Sequence, residues 1–581
     1  MIAVLLGLAH AQDGDSPSSS DSELLEALKA EMARASELSL PDAPPLYALR
    51  YRLALMQQRE VHAELGSVLV EDATPYHGLG VELRVGTPMY DNTGFGGWEN
   101  GFVRGSLAAD PTPHDARQAA WRLTDLAYKQ AVEQHARKSS QFTAPDDYPG
   151  DWAEMPPVVA DDGWATLTGS DALRARVIEL SDVFTPAGDR LQKGQVVLGQ
   201  EAGGMVLIDR DGTEVRRPME EVTLRAMAHL RTDDGQMLTD SRLWSVRQPD
   251  QLPEQAEMVA ELERMRDDLL ALAESPSLTD EYVGPVLFEG DAALDVFRYL
   301  LVPQLEGTPA EVPYDSWFGD LGEAKDPVRI GRRVLPEGWS ASDDPRADPS
   351  HPSSFLHDWE GTPAQRVDLV DDGIVRDLLM SRVPRKGLAP NGHARGFLGY
   401  RASGRVTQLS VEPNKAASSK KLVKKGLKMA QAYGRDHVLV VRRLQEDAVR
   451  AADATSSMFG FTEEDVLRLP PPVEVVRVYA DGREEVLRGA RFASVQRFVL
   501  RDIALAGEQR TGTFLAPIAG DYASMSPTEG MPTRISAPDI LVREIELVPT
   551  SGDPRDKPVL APRAATDTPS GARPGVDPET R

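Results

Sequence analysis

Histidine and carboxylate residues are concentrated in one acidic, proline- and serine-rich stretch of the chain. His351 and His357 lie near each other there, and the same stretch contains Asp343, Asp344 and Asp348. Imidazole and carboxylate groups are common ligands of divalent metal ions, so this stretch could bind a metal ion weakly. A solvated acidic insert is the competing interpretation, and it is the one that we favour.

Other catalytic patterns are missing from the sequence. The 10 histidines include neither H-x-x-x-H nor H-E-x-x-H, and the absence of cysteine excludes disulfides, thiolate ligands and a cysteine nucleophile. There is no G-x-S-x-G nucleophile elbow and no phosphate-binding glycine loop. We interpret the scattered histidines as surface residues or hydrogen-bonded core residues: His62, His114, His229 and His437.

Composition limits the classes of protein to which the chain can belong. Its 581 residues allow about two to four domains, and 41% apolar with 27% charged residues is ordinary for a globular protein. A formal charge of −27 disfavours binding to nucleic acid or anionic lipid. No apolar run reaches the roughly 20 residues that span a bilayer, so no transmembrane segment is expected. The lysines at helical spacing are interpreted as a solvated helix face: Lys420, Lys421, Lys424, Lys425 and Lys428.

The N-terminus resembles the end of a secretory signal peptide. An apolar run from Ile2 to Leu8 precedes the small-x-small sequence Ala9-His10-Ala11, but the basic n-region is missing. We therefore expect a truncated signal peptide at residues 1–11, which a start codon assigned too far downstream would explain, and a periplasmic or secreted protein. A chance apolar N-terminus on a cytoplasmic protein is the alternative. Polar composition predicts a linker at 12–40 and a disordered tail at 551–581.

Periodicity between these ends predicts an α+β chain of two lobes. The N-terminal domain, 41–275, should contain the following elements: two strands in Leu46–Val70, a half-buried strand at Val81–Val85, a helix at His114–Lys138, a hairpin turn at Asp211-Gly212 and an amphipathic helix at Pro253–Leu272. The C-terminal domain, 276–550, should be dominated by a large antiparallel β-sheet. Its signals are turns at Asp372-Gly373 and Asp481-Gly482 and a last strand at Leu541–Leu547.

Motifs in the second lobe resemble those of TldD/PmbA proteins, a zinc-peptidase family. Glu360–Arg366 and the strand after it resemble the family's "D/E-G-T-P-x-Q-R" block, and Asn391–Arg395 resembles its "T-G-N-A/G-R-R" turn. Arg405–Gln408 and Leu487–Ala490 resemble its "P-R-x-T/S-N" and "V-x-G" segments. These residues have turn chemistry, so we interpret them as structural.

The first lobe agrees with this resemblance. Arg84-Val85-Gly86 and Asp91-Asn92-Thr93 are similar to the "V-R-V-G-x-x-x-x-D-N-T" strand of a secreted-type branch, and Gly284–Leu287 opens the second lobe as in relatives. The resemblance extends over about Leu46 to Leu547. It implies the two-lobed fold of the TldD/PmbA family.

The zinc motif of the active family members is degenerate in this chain. Active members have H-E-x-x-x-H on a helix, where two histidines bind zinc and the glutamate activates water, and a later cysteine completes the site. Leu305-Glu306-Gly307 matches the family's trailing "L-E-G", which places the two histidine positions on Arg298 and Pro303 and the glutamate position on Tyr299. The resemblance therefore implies no catalytic residue, no metal ligand and no cofactor in this chain.

Three functions remain open after this comparison of motifs. The leading hypothesis is a non-catalytic pseudoenzyme subunit, similar to PmbA (TldE), that supports proteolysis of unfolded peptides in a heterodimer with a zinc-bearing TldD-like homologue. A homodimer is the alternative assembly, since a large sheet with uncovered apolar surface usually closes on a partner. The rival functions are an active metallopeptidase with an unrecognised site and a cell-envelope peptide-binding protein.

Overall fold

The structure is a computed structural model that describes residues 19–97, 100–312, 330–446, 469–517, 528 and 530–550. The predicted signal peptide and C-terminal tail lie outside these residues. Among the helices in these ranges, none is long and apolar enough to cross a membrane.

Long antiparallel strands form the sheet of the first lobe. It has eight described strands: β1 Leu46–Glu64, β2 Ser67–Thr87, β3 Tyr90–Asp91, β4 Phe102–Ser106, β5 Val159–Asp161, β6 Leu191–Asp209, β7 Glu214–Arg231 and β8 Met237–Val246. The order is β3-β2-β1-β6-β7-β5, with β4 beside β2 and β8 beside β7. The two strands predicted in Leu46–Val70 and the turn at Asp211-Gly212 are confirmed as the β1–β2 and β6–β7 hairpins.

The strand predicted at Val81–Val85 is confirmed, but the prediction that it is half-buried is wrong. These residues lie inside β2, but all five are buried. Val81, Leu83 and Val85 pack against helices on one face of the sheet. The other face holds Glu82 and Arg84, which form an ion pair of 2.9 Å under the second lobe. Apolar and charged residues alternate along this strand because one face packs against helices and the other forms a buried ionic interface. The charged face is not exposed to solvent.

Four helices cover the first sheet: α1 Ser19–Ala35, α2 Pro113–Gln141, α3 Ser170–Asp182 and α4 Gln255–Glu274. Helix α2 begins with a capping box in which Thr112 and Asp115 satisfy each other's backbone N–H groups. The predicted helices at His114–Lys138 and Pro253–Leu272 are confirmed as α2 and α4.

Helix α1 corrects the prediction of a linker at 12–40. Its apolar residues Leu24, Leu28 and Met32 are buried against α2 and the first sheet. They recur at four-residue intervals, which is the spacing of one helix face. The serine- and aspartate-rich start of the segment hid this pattern, and burial of the apolar face explains why the segment folds.

The second lobe is built on a larger sheet with eleven described strands. They are β9 Tyr282–Phe288, β10 Ser340–Asp343, β11 Val367–Asp371, β12 Ile374–Val375, β15 Gln408–Glu412, β16 His437–Val441, β17 Val475–Tyr479, β18 Glu484–Leu487, β19 Ala490–Phe492, β20 Ile503–Ala516 and β21 Met531–Pro549. β13 Ala394–Arg395 and β14 Ser403–Gly404 form a separate ribbon, and the helices are α5 Asp291–Leu300 and α6 Ser419–Ala430.

Most neighbouring strands of this second sheet are antiparallel. The pairs β15–β21 and β9–β16 are parallel. The predicted turns at Asp372-Gly373 and Asp481-Gly482 connect β11 to β12 and β17 to β18, and Leu541–Leu547 lies within β21. The predicted α+β class with a large, mainly antiparallel second sheet is confirmed.

Arginine side chains of β1 connect the first sheet to the second lobe. The Arg50 Nη2–H donates to the backbone oxygen of Glu360 at 2.5 Å, and the Arg52 Nε–H donates to that of Trp359 at 3.2 Å. The Trp152 ring lies between the guanidinium groups of Arg84 and Arg382, which are 3.8 and 4.3 Å from its centre. Motif residues of both lobes therefore form one buried interface.

Candidate functional site

Helix α5 contains Arg298 and Tyr299, two of the three residues that the family resemblance aligns with the zinc motif. Gly290, with φ of 60°, precedes the helix, and the side chains of Leu294, Phe297 and Leu300 are buried in the core of the second lobe. The helix ends at Leu300, and Pro303 lies in the 3₁₀ turn Val302–Gln304 that follows. An α-helix cannot continue through proline without losing a hydrogen bond, so the two predicted histidine positions lie in different local structures.

The Arg298 guanidinium is held by neighbouring groups of the second lobe. Its Nη2–H donates to the backbone oxygen of Leu515 at 3.1 Å, and the group lies 4.9 Å from the centre of the Phe514 ring. Its Nη1 is 3.5 Å from the Asp295 carboxylate and 3.6 Å from Glu446 Oε1. Arg298 is therefore part of an ionic cluster.

Arg225 of β7 reaches the same cluster from the first lobe. Its side chain is 1% exposed, and its Nη1 lies 3.7 Å from Glu446 Oε1. Burial lowers the pKa of Arg225, while Glu446 acts in the opposite direction. Burial alone would raise the pKa of Glu446, but the positive charges of Arg298 and Arg225 lower it. One carboxylate thus faces two guanidinium groups.

These residues do not fit a zinc ion. Arginine is a cation without a lone pair for the metal, and proline has no side-chain ligand atom. Tyr299 occupies the position of the motif glutamate, and its ring lies 5.1 Å from the Arg298 guanidinium, so this position is also next to a cation. In the described parts of the chain, no group of three His, Asp or Glu side chains could hold a metal ion.

The structure separates the histidines and carboxylates of the 343–357 stretch. His351 Nδ1 is 2.7 Å from Ser353 Oγ, and its Nε2 is 3.0 Å from Thr513 Oγ1. His357 Nδ1 instead lies 2.8 Å from Asp162 of the first lobe. Burial lowers the pKa of His351 to about 4, with a further contribution from Arg534. The two histidines therefore do not form one metal site.

The carboxylates of that stretch have separate partners as well. Asp343 accepts a hydrogen bond from the Thr407 hydroxyl and lies 3.1 Å from His393 Nε2, whereas Asp348 pairs with Arg534 at 2.8 Å. Asp343 is fully buried. Our interpretation of a solvated acidic insert is wrong, because the stretch includes strand β10 and packs between the lobes.

The remaining polar predictions are confirmed. His114 is exposed, His62 contacts Glu60 at 2.6 Å, and His229 is buried. His437 is buried and contacts Asp436 at 2.8 Å. All of the following lysines are exposed on or beside α6, as expected for a solvated helix face: Lys420, Lys421, Lys424, Lys425 and Lys428.

A cleft between the lobes is a feature that the sequence analysis missed. Its volume is about 770 Å³. Residues of β1, β2, β6 and β7 of the first sheet form its floor, and the segments 352–359 and 395–400 of the second lobe close it. Met56, Met205, Met219 and Trp359 are among the apolar residues that line it. The alternation in each strand was visible in the sequence, but the opposing loops were not.

Two glutamates lie side by side on the cleft floor. Glu201 of β6 and Glu221 of β7 are paired across the two strands, and the Gln58 side chain of β1 donates to Glu201 at 3.2 Å. Burial and the negative charge of Glu201 raise the pKa of Glu221 to about 8. With this pKa the Glu221 carboxyl is mostly protonated at neutral pH, because burial disfavours its charged form and Glu201 adds repulsion.

Residues 280–449 match the family model of the PmbA/TldA metallopeptidase C-terminal domain. This segment contains α5 and the degenerate motif positions. No protein of curated function matches the chain.

Three solved structures have a similar fold. A proposed modulator of a DNA gyrase from Thermotoga maritima MSB8 is 15% identical with a TM-score of 0.56, and 91% of this chain and 100% of that one are covered. TldE from Thermococcus kodakarensis is 12% identical with a TM-score of 0.54, with 90% and 100% covered. A proposed modulator of DNA gyrase from Bacteroides thetaiotaomicron VPI-5482 is 10% identical with a TM-score of 0.52, with 90% and 98% covered. The chain therefore shares the fold of these three proteins, and its residues 280–449 match the family model of the C-terminal domain.

Proposed function

We propose that this protein is a non-catalytic subunit of the PmbA (TldE) type, which supports proteolysis of unfolded peptides by a TldD-like partner that holds the zinc. The observation behind the proposal is the cluster of Arg298, Glu446 and Arg225 at the position of the degenerate motif. This chain would itself hold no metal or other cofactor.

The electrostatics of that cluster support the proposal. A divalent cation would have to enter a buried region that already contains two guanidinium groups. Charges interact more strongly there than in water, so the repulsion is not screened. The Glu446 carboxylate is shared by both arginines, which leaves it a poor ligand for a metal ion. A catalytic zinc site needs three protein ligands, which these residues do not supply.

The partner is proposed from the family resemblance. A TldD-like homologue with an intact H-E-x-x-x-H motif would form a heterodimer with this chain, and a homodimer is the alternative. We further propose that the complex acts in the periplasm or outside the cell, because of the apolar N-terminal run.

A test combines metal analysis with a peptidase assay. The dialysed protein should contain far less than one zinc per chain and should not cleave an unfolded peptide. A TldD-like homologue from the same genome should co-purify with it, and the complex should cleave the peptide until a chelator is added. Zinc near one equivalent, together with chelator-sensitive cleavage by this chain alone, would show that it is an active metallopeptidase.

The inter-lobe cleft favours a second candidate, a peptide-binding protein of the cell envelope. The cleft has the size and apolar lining of a site for a small molecule or a short peptide. This candidate predicts that the isolated chain binds an unfolded peptide and forms no complex with a zinc-bearing homologue. The co-purification experiment therefore distinguishes the two candidates.

A further inference from the structure

Three arginines line one region of the inter-lobe cleft: Arg217, Arg247 and Arg395. The Arg217 guanidinium stacks 5.2 Å from the centre of the Phe355 ring, and within the described residues no acceptor receives a hydrogen bond from it. The Arg247 Nη2–H donates to the backbone oxygen of Ser354 at 2.7 Å. Each of these contacts is with a neutral group.

Arg395 likewise has neutral partners. Its Nη1–H donates to the backbone oxygen of Val406 and to the Thr533 hydroxyl, both at 3.0 Å, and its Nη2–H donates to the oxygen of Pro532 at 2.8 Å. Across the ranges that the structure describes, none of the three arginines has a carboxylate within salt-bridge distance. In a chain with a formal charge of −27, a group of three arginines without a directly paired carboxylate is unexpected.

Burial and the neighbouring arginines disfavour the charged, protonated form of these side chains. Burial lowers the pKa of Arg217 to about 10, and Arg247 lowers it further, although Asp358 and Asp162 act in the opposite direction. Burial also lowers the pKa of Arg395 to about 10, and the next largest contribution comes from Arg217. Arg217 therefore has a repulsive interaction with both Arg247 and Arg395. Carboxylates at longer range offset part of the charge, namely Glu220 and Asp348 for Arg247 and Asp343 and Glu221 for Arg395.

The two aspartates nearest to Arg217 are already engaged elsewhere. Asp358 accepts hydrogen bonds from the backbone N–H groups of Glu360 and Thr362 at 2.9 Å and of Ala394 at 3.0 Å. Asp162 pairs with His357 at 2.8 Å. These carboxylates reduce the repulsion at long range, but they leave the donors of Arg217 available to a ligand.

An apolar surface lies beside the arginines. Met205 and Arg217 are paired across β6 and β7, and Met219 follows on the same face of β7. Trp359 is 6% exposed, and its Nε1–H has no hydrogen-bond partner within the described chain. Methionine side chains adapt to varied apolar groups, and a buried N–H without an acceptor is rare in a folded protein.

We propose that this cleft binds an amphiphilic oxyanion, with its carboxylate or phosphate group at Arg217, Arg247 and Arg395 and its apolar part on Met205, Met219 and Trp359. Arginine binds both oxyanions through paired N–H donors, so both share the chemistry that the cleft recognises. A peptide with a free C-terminus and a phosphorylated molecule are the two sources of such a group. The proposal does not depend on a partner subunit.

The test is a binding titration of the full-length protein at constant ionic strength. The probes are inorganic phosphate, N-acetyl-Leu-Phe with a free carboxylate, and the same dipeptide as its C-terminal amide. The test variant is Arg217→Gln. A second variant, Arg217→Lys, keeps the positive charge but lacks the planar guanidinium group with its paired N–H donors. Arg216→Gln is the matched control. Arg216 directly precedes Arg217 in β7, so its side chain lies on the opposite face of the sheet, where it pairs with Glu214 at 3.8 Å.

The wild-type protein and Arg216→Gln should bind an oxyanion probe, while Arg217→Gln should bind it at least tenfold more weakly and Arg217→Lys should be intermediate. Binding of the dipeptide acid but not of its amide identifies a carboxylate ligand, and binding of phosphate without the dipeptide identifies a phosphorylated one. Equal binding by wild type and Arg217→Gln would overturn the proposal, and so would binding of none of the probes.

A second measurement separates ligand binding from a structural role. Without ligand, Arg217→Gln should raise the midpoint of thermal unfolding, because it removes a cation that burial disfavours and that has no direct carboxylate partner among the described residues. Binding sites commonly retain residues that reduce stability in this way. A lower midpoint than that of Arg216→Gln would show that Arg217 stabilises the fold, and it would overturn the assignment.

Discussion

Arg298 Nη1 and Glu446 Oε1 lie 3.6 Å apart, at the helix position where the family resemblance places the first zinc-binding histidine. The same carboxylate lies 3.7 Å from Arg225 Nη1, which arrives from the first lobe. This ionic cluster therefore links the first sheet to helix α5 of the second lobe.

Rebuilding the motif should not create a zinc site. We expect the triple variant Arg298→His, Tyr299→Glu and Pro303→His to contain no more zinc after dialysis than the wild-type protein, and to cleave no unfolded peptide. The third protein ligand would still be missing, and Arg225 would still repel a cation. Zinc content by mass spectrometry and a peptide cleavage assay are the measurements. One equivalent of zinc in the triple variant would contradict this prediction.

Removing the shared carboxylate should destabilise the protein. Glu446→Gln leaves the buried Arg225 without its partner, so we expect the free energy of unfolding to fall by about 3 kcal/mol. Chemical denaturation gives this value. Glu484→Gln is the control, because Glu484 pairs with Arg442 at 3.1 Å on an exposed surface, where such pairs contribute little.

A double variant tests the cause of that loss. Arg225→Met combined with Glu446→Gln should lose less stability than the sum of the two single changes, because no unpaired charge remains buried. Strict additivity of the two losses would argue against an ionic interaction across the lobes.

The stability of the protein should fall with rising pH because of Glu221. Its pKa is raised to about 8 in the folded protein, whereas the ordinary value is 4.5. Between these values the folded state keeps a proton that the unfolded state has lost, so the free energy of unfolding decreases as pH rises. The contribution is at most about 1.4 kcal/mol per pH unit. Above pH 8 it no longer changes.

Glu221→Gln should flatten this dependence, because glutamine does not titrate. Chemical denaturation at pH 5, 6, 7 and 8 compares the variant with the wild-type protein. Glu179→Gln is the control, since Glu179 is exposed on α3. An identical pH profile in wild type and Glu221→Gln would mean that the Glu221 carboxyl is ionised in the folded state.

Helix α1 should contribute substantially to stability. Leu28 is fully buried against α2 and the first sheet, so Leu28→Ala should lower the free energy of unfolding by about 3 kcal/mol. Leu40→Ala is the matched control, because Leu40 is 48% exposed. If both variants unfold like the wild-type protein, residues 19–35 do not pack as the structure describes.

Export should remove the N-terminal residues. The apolar run from Ile2 to Leu8 and the Ala9-His10-Ala11 site predict a mature chain that begins after Ala11, in the periplasm or outside the cell. Cell fractionation followed by N-terminal sequencing checks this. A cytoplasmic protein that still begins with Met1 would rule the prediction out.

Local patterns were enough to predict most helices and strands. Asp211-Gly212 and Asp372-Gly373 predicted hairpin turns because both central residues of such turns favour positive φ, and Asp372 and Gly373 have φ of 49° and 74°. The apolar positions of α2 and α4 predicted amphipathic helices because their spacing matches the helical period. The degenerate zinc motif stays a prediction, which depends on residue types at adjacent positions.

Contacts between side chains that are distant in sequence could be identified only from the tertiary structure. His351 and His357 are close in the chain, yet one contacts Thr513 and the other Asp162. The cleft arginines come from both lobes, and their lack of carboxylate partners among the described residues depends on how those lobes pack. By itself, the sequence determined most of the elements and the acidic charge, because these depend on residue types and on neighbouring residues. The tertiary structure decided which charges meet, because long-range packing sets the distances and the burial that control their interaction.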